Sequence, residues 1–413
     1  MALKQGRSNQ KFNIFKDAEM DVQFMRTLSS MSSGGAEVGE CLTVAQLTQD
    51  GNIDSYAAAW QDAAGRVEKL AESALQQQHC GSARLHYLRA CNYYRSAMTC
   101  LSPKDKHHRE DWAKSRECFE KAGQLFKTPF VKCDIPFEDK ILPCYLLRPN
   151  STDEKLPTLI VATGGEGTSM EMYFWIGAAG LERGYNILLF EGPGNLSAYY
   201  LNKNFTFRED CETPISTAID FLCSQSFVDT DKIALIGFSF AGYVVARAAA
   251  FERRIKALIP DSPLRDIHRM FTAVFPNWIF SAIPPRLFNF LIDHFMSKAD
   301  RSPLEVALMV GGVEKLYDFI EQTKLLTLDG LEKNITCPTL VLASEEEGQE
   351  FIQQARQFYE NIASTHKKIN IFSVDESAGA HCQMNNFTLM NQTVFDWLDD
   401  TFDMNGRSLG TGV

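Results

Sequence analysis

Ser239 stands in a setting that can turn a hydroxyl into a nucleophile. The run Lys232-Ile233-Ala234-Leu235-Ile236 is short, apolar and rich in β-branched residues, and it follows Asp229-Thr230-Asp231. That pattern reads as a buried strand. It continues through Gly237-Phe238-Ser239-Phe240-Ala241-Gly242 into the alanine-rich stretch Tyr243–Phe251, which reads as a helix. A strand, a tight turn carrying serine and a helix make a nucleophile elbow. A serine hydroxyl is a weak nucleophile, so it must project towards a general base. Small residues around the turn let strand and helix approach closely. Here the second small position is Ala241, with Gly242 following it.

The base must come from one of eight histidines. Those at 79, 86, 107, 108 and 268 lie before or far from the strand ends that would carry catalysis. His294 falls in an insertion, and His366 precedes the last predicted strand. His381 follows that strand in the small-residue loop Ala378-Gly379-Ala380-His381-Cys382-Gln383, and the order serine, acid, histidine is then obeyed. The acid has to orient the imidazole and stabilise its cation. Glu345, Glu346 and Glu347 follow the seventh predicted strand, and Asp261 after the sixth is the rival. On an extended segment Glu345 and Glu347 would face one way and Glu346 the other. An oxyanion hole needs fixed backbone N–H groups. Phe240 supplies one, and the loop Thr163-Gly164-Gly165-Glu166-Gly167-Thr168 the other, with Gly165 as the candidate. The same loop lacks the Gly-Lys-Ser/Thr ending of a phosphate loop. This chemistry calls for neither a metal nor an organic cofactor.

These residues need a scaffold. From Phe130 the pattern predicts a hairpin, Phe130–Pro136 and Ile141–Leu147, followed by strands that alternate with helices. Strands are predicted at Thr158–Ala162, Asn186–Phe190, Lys232–Ile236, Ile255–Ile259, Thr339–Ala343 and Lys368–Phe372. Helices are predicted at Met170–Arg183, Glu209–Ser224, Glu350–Ala363 and Asn386–Phe402. An opening hairpin followed by β/α alternation predicts an α/β fold with a mostly parallel, doubly wound, eight-stranded sheet. Residues 1–127 form an N-terminal helical domain on this reading. Its first 52 residues are irregular, and three helices follow: one from an N-cap at Asp54 or Ser55, then Ser82–Leu101 and about 108–126. Residues 128–405 form the sheet domain, with a helical cap insertion at about 263–330 and a flexible tail at 406–413. The aromatics Tyr56, Trp60, Tyr87, Tyr93, Tyr94 and Trp112 exceed what three short helices need, and some are expected to line a pocket shared with the cap.

Composition limits the partners. The 413 residues are 45% hydrophobic and 23% charged with a net charge of −11, a normal globular balance that disfavours nucleic acid and anionic membranes. The start of the chain shows no secretory h-region, and no run of 18 apolar residues occurs. Eleven scattered cysteines without a Cys-x-x-Cys fit reduced thiols and a cytoplasmic location.

Taken together, the motifs resemble those of fungal α/β-hydrolases that process polyketide chains, relatives of bacterial 2,6-dihydroxypseudooxynicotine hydrolase. The residues that carry the resemblance are Ser82-Ala83 with Tyr87-Leu88-Arg89-Ala90 and Tyr93-Tyr94-Arg95, Gly164-Gly165-Glu166-Gly167-Thr168, Leu189-Phe190-Glu191-Gly192-Pro193-Gly194, the elbow at 237–242 and the loop at 378–383. The resemblance spans roughly Asp54 to Phe402. It implies an α/β-hydrolase fold, a helical N-terminal domain that helps form the pocket, often a homodimer, and Glu347 as the triad acid. Two positions depart from the family pattern: Ala241 stands where glycine is usual, and Glu166 is shifted by one from the acidic position of the carbon–carbon hydrolases. The implied activity is Ser-His-Glu hydrolysis of a polyketide-like or polyketide–peptide metabolite at a C–C, ester or thioester bond. Acyl transfer or cyclisation, such as lactam formation, is the alternative within the same pocket. A catalytically retired binding protein is the alternative from another class.

Overall fold

The computed structural model describes residues 13–203, 205–274, 283–296 and 298–404. The tail expected at 406–413 lies outside them. Eight strands form one sheet: β1 (Phe130–Phe137), β2 (Lys140–Leu147), β3 (Leu156–Ala162), β4 (Asn186–Phe190), β5 (Val228–Phe238), β6 (Ala257–Asp261), β7 (Thr339–Ser344) and β8 (Lys367–Phe372). Their order is β1-β2-β4-β3-β5-β6-β7-β8. β2 runs against both its neighbours, and the remaining pairs are parallel. The chain thus has the α/β-hydrolase fold.

The inner strands β3, β4, β6 and β7 are buried at every position because both faces of the sheet are covered there. Side chains alternate across the sheet. Leu159, Val161, Ile187, Leu189, Ala234 and Ile236 enter one core, while Ile160, Leu188, Ile233, Leu235, Leu258 and Val341 enter the other.

The N-terminal helices belong to the first of these cores. They are α1 (Ala18–Leu28), α2 (Val38–Leu47), α3 (Ile53–Gln76), α4 (Cys80–Thr99) and α5 (Lys106–Gly123). α3 is capped by Asn52, whose side chain accepts the Ser55 N–H at 3.0 Å, rather than by Asp54 or Ser55. α1 and α2 correct the expectation that residues 1–52 are irregular. Asp17 caps α1 by accepting the Glu19 and Met20 N–H groups at 3.1 and 3.0 Å. Every residue from Met20 to Thr27 is buried, the polar Asp21, Gln23, Arg26 and Thr27 included, so α1 is enclosed along its polar side as well.

The aromatics of these helices also differ from expectation. Phe15, Tyr56, Trp60, Phe24 and Tyr93 pack edge-to-face or tilted against one another inside the helical layer. Trp112 packs on Tyr200 and donates to Ser197 Oγ at 3.2 Å. None of the six aromatics singled out in the sequence lines the main cavity. Their size is used in packing the helices together and onto the sheet.

Because Met20, Trp60, Phe119, Leu159, Val161 and Ile236 share one continuous core, cutting the chain before Thr128 would bare an apolar sheet face. A protein starting at Thr128 is expected to be insoluble and inactive. Recovery of a soluble, fully active protein in a sedimentation and turnover assay would show that the helices contribute neither packing nor catalysis.

Candidate active site

Ser239 sits between β5 and the helix Phe240–Phe251 with φ 57° and ψ −123°. Positive φ strains a residue bearing a Cβ, and such strain costs on the order of 1–3 kcal/mol. The surroundings hold it there. The Ser239 N–H bonds to the Asp261 carbonyl, and the Gly242 N–H donates to the Ser239 carbonyl at 2.8 Å.

The glycines flanking the turn are required by close approach. A Cβ on Gly237 would lie 2.4 Å from the Ala241 carbonyl oxygen, and one on Gly242 would lie 2.1 Å from that of Ser262. The crowded position behind the elbow is therefore 242. Ala241 is buried in the second core, where its methyl packs.

The three glutamates after β7 do not continue as an extended segment. Glu345–Glu347 forms a 3-10 turn closed by a capping box, in which the Ser344 N–H donates to Glu347 Oε2 at 2.9 Å. This corrects the expectation that Glu345 and Glu347 share a direction. Glu345 is exposed, and its carboxylate accepts the Val374 N–H at 2.9 Å. The Glu346 N–H donates to the Gly379 carbonyl at 3.0 Å. The Glu347 carboxylate turns inward, where it accepts His381 Nδ1–H at 2.5 Å and the Ser262 hydroxyl at 2.6 Å. All three glutamates thus tie the end of β7 to its surroundings, but the structure brings only Glu347 to the imidazole. In the neutral imidazole with Nδ1 donating to Glu347, Nε2 is the nitrogen that accepts.

Asp261 lies close by without touching His381. It is fully buried, and Gln383 Nε2 donates to its Oδ1 at 3.2 Å. Burial first, and the neighbouring Glu347 charge second, push its carboxyl well above the usual carboxylate range. The Cys382 thiol is pushed up in the same way, by burial and then by the charges of Asp261 and Glu347. Cys382 Sγ lies 3.6 Å from His381 Nε2, a neighbour that the sequence reading did not single out. Glu347, His381 and Cys382 are also the group of metal-type donors that lie together among the described residues, though the Glu347 carboxylate is engaged by the imidazole.

Ser239, Phe240, Gly164, Gly165, Glu347 and His381 all border one cavity of about 970 Å³. Among the described residues no side chain hydrogen-bonds Ser239 Oγ. In unliganded enzymes such contacts are often long and tighten only with substrate. Gly164 abuts the elbow, since a Cβ there would meet Phe238 O at 3.0 Å and Ser239 Cβ at 3.2 Å. Gly165 faces open space. The Phe240 N–H opens a helix and so has no partner within it. Asn195 Nδ2 donates to the Thr163 and Gly164 carbonyls at 3.3 Å each. The buried Glu191 accepts the Ser169 N–H at 2.6 Å and the Ser197 N–H at 2.7 Å, so it ties together the starts of two short helices beside the loop.

The rest of the cavity wall is mainly apolar. The stretch between β6 and β7 supplies Met270, Phe271, Leu304, Val310, Phe319 and Leu326. They come from helices Ile267–Val274, Lys298–Gly311 and Leu316–Gln322 and from the segment after the last of these. The N-terminal helices reach the cavity through Arg26 of α1, which the sequence reading missed.

No helix of the described residues is long and apolar enough to cross a membrane. The chain is 30% identical to the alpha/beta hydrolase xenA of Xenoacremonium sinensis, over 94% of this chain and 98% of that protein. It is 30% identical to the 20-hydroxy-prefusarin hydrolase of Gibberella moniliformis over the same shares. Among solved structures it is similar to 2,6-dihydroxy-pseudo-oxynicotine hydrolase, with a TM-score of 0.72 at 19% identity over 93% of this chain and 98% of that one. The Esterase FrsA-like family model matches residues 54–317. With its fold, its elbow and this match over more than half its length, the chain belongs to the FrsA-like esterase family of α/β-hydrolases.

Proposed function

We propose that this protein is a serine hydrolase acting on a polyketide-like or polyketide–peptide secondary metabolite. The observation that carries the reading is the half-buried Glu347–His381 hydrogen bond and the strained Ser239, all opening on one largely apolar cavity. The names of the relatives, among them a prefusarin hydrolase, support the substrate class.

In this reading Ser239 Oγ attacks an acyl carbonyl while His381 Nε2 takes its proton. Glu347 stabilises the imidazolium. The N–H groups of Phe240 and Gly165 hold the developing oxyanion. His381 then returns the proton to the leaving group, an acyl-enzyme remains, and water activated by His381 releases the acid. Asp261 and Glu345 take no part in proton transfer. Residues 1–127 act as a helical unit on one sheet face, residues 128–405 as the catalytic unit, and about 263–330 as its cap. A homodimer in the cytoplasm completes the proposal.

The apolar wall favours a second reading. Where the acyl-enzyme is screened from water, a nucleophile within the substrate can take the acyl group, giving transfer or ring closure. Analysis of products from an acyl substrate with and without an internal amine separates the two.

A fluorophosphonate probe is expected to label the wild-type protein at Ser239 with 1:1 stoichiometry. A folded protein that stays unlabelled would make it a binding protein on a hydrolase fold.

A further inference from the structure

We infer that Arg26 is a positioning residue for the oxyanion hole, holding the glycine loop from outside the sheet. This inference rests on the reading of Ser239 and Gly165 given above.

Arg26 comes from α1, yet its side chain ends at the loop after β3. Its Nη1 donates to Glu166 Oε1 at 2.8 Å. Its Nε and Nη2 donate to the two oxygens of Glu171 at 2.6 and 2.5 Å. The guanidinium also lies over the Trp175 ring, 5.5 Å from its centroid. Glu171 meets a second cation, Arg95 Nη1, at 3.3 Å. The Arg26 side chain is 5% exposed, and those of Glu171 and Glu166 are 0% and 17% exposed.

The planar fork therefore bridges two carboxylates, one inside the glycine loop and one in the short helix that follows it. Fork geometry fixes direction as well as distance. Gly165, next to Glu166, has no side chain by which to hold itself, and a Cβ there would touch nothing within 4 Å. Its placement has to come from its neighbours. On one side Asn195 holds the carbonyls of residues 163 and 164. On the other, Arg26 holds Glu166. The Gly165 N–H sits between these two anchors. With Nε, Nη1 and Nη2 all engaged by carboxylates, Arg26 acts through the loop and not on substrate. Removing it would take away the Nη1 bond that holds Glu166, while Glu171 keeps Arg95.

The test uses the full chain with a p-nitrophenyl acyl ester and an aryl trifluoromethyl ketone, which serine hydrolases bind as an oxyanion. In Arg26→Ala and in Glu166→Ala, kcat for the ester is expected to fall about 100- to 1,000-fold, the loss seen when one oxyanion donor is removed. KM should move by less than about threefold, because the oxyanion that the loop holds is absent from the ground state. Affinity for the trifluoromethyl ketone should fall by the same factor as kcat, while that for the matching methyl ketone stays unchanged. The double variant should be no worse than the more impaired single variant, since both break one linkage.

Glu166→Ala removes the Nη1 acceptor and keeps the Arg26–Glu171 pair, so it decides the matter even if Arg26→Ala fails to fold. The inference is overturned if folded variants keep kcat within about threefold of wild type, or if the loss lies in KM alone. A lowered melting temperature with unchanged ketone affinity would likewise reduce Arg26 to a structural role. A wild-type protein without ester turnover or fluorophosphonate labelling would overturn the serine mechanism itself, and this inference with it.

Discussion

Turnover by the Ser239→Ala variant is expected to fall by a factor on the order of a million, the loss that follows removal of an activated serine nucleophile. The protein should remain folded. Alanine inherits the same positive φ as serine, and the restraints on that backbone are the Asp261 carbonyl and the Gly242 N–H, neither of which involves the hydroxyl. No side-chain bond to Ser239 Oγ is lost among the described residues. Circular dichroism and the melting temperature should therefore match wild type while the single-turnover burst disappears. Near-normal turnover from this variant would end the serine mechanism.

The second large effect concerns the acid. Glu347→Gln should lower kcat on the order of ten-thousand-fold, as loss of the imidazole-orienting carboxylate does in other triads. The amide can still accept from Ser262, the Ser344 N–H or His381 Nδ1, but it carries no charge to stabilise the imidazolium. Asp261→Asn is expected to be nearly silent at neutral pH. Its carboxyl is already driven towards the neutral form, and asparagine keeps an oxygen to accept the Gln383 amide. Glu345→Gln should be equally mild, because that side chain is exposed and bonded to the Val374 N–H. Steady-state rates for the three variants decide the assignment. A large loss in Asp261→Asn with a silent Glu347→Gln would move the acid to the end of β6.

The reasons for success and failure at the sequence level are local. The parallel strands were legible because burial on both faces leaves uninterrupted apolar runs such as Ile233–Ile236 and Ile187–Phe190, framed by charged or glycine-rich turns. The turn at Ser239 and the place of His381 in the loop after β8 were legible because chain order and small-residue loops are local signals. The glutamate turn was misread because Ser344 uses the Glu347 carboxylate to close a capping box, a feature that overrides the extended path of the preceding strand. The aromatic residues of α3 and α4 were misread because a packed helical layer and a pocket wall call for the same side chains. Arg26 left no mark at all. It lies in a helix buried on every side, and its carboxylate partners are 140 and 145 residues away.

The close contact at Gly242 has a consequence for how this sequence can diverge. The Ser262 backbone occupies the space a methyl would need, and the hydroxyl of that same residue grips Glu347. The Ser239 turn and the Glu347 carboxylate are thus linked through one residue. Exchanging Ala241 and Gly242 would restore the familiar Gly-x-Ser-x-Gly spelling and conserve composition. It would also drive a methyl into Ser262 and, through it, dislodge the carboxylate on the far side. The placing of glycine at 242 and the seating of the Glu347 carboxylate thus depend on the same residue, Ser262.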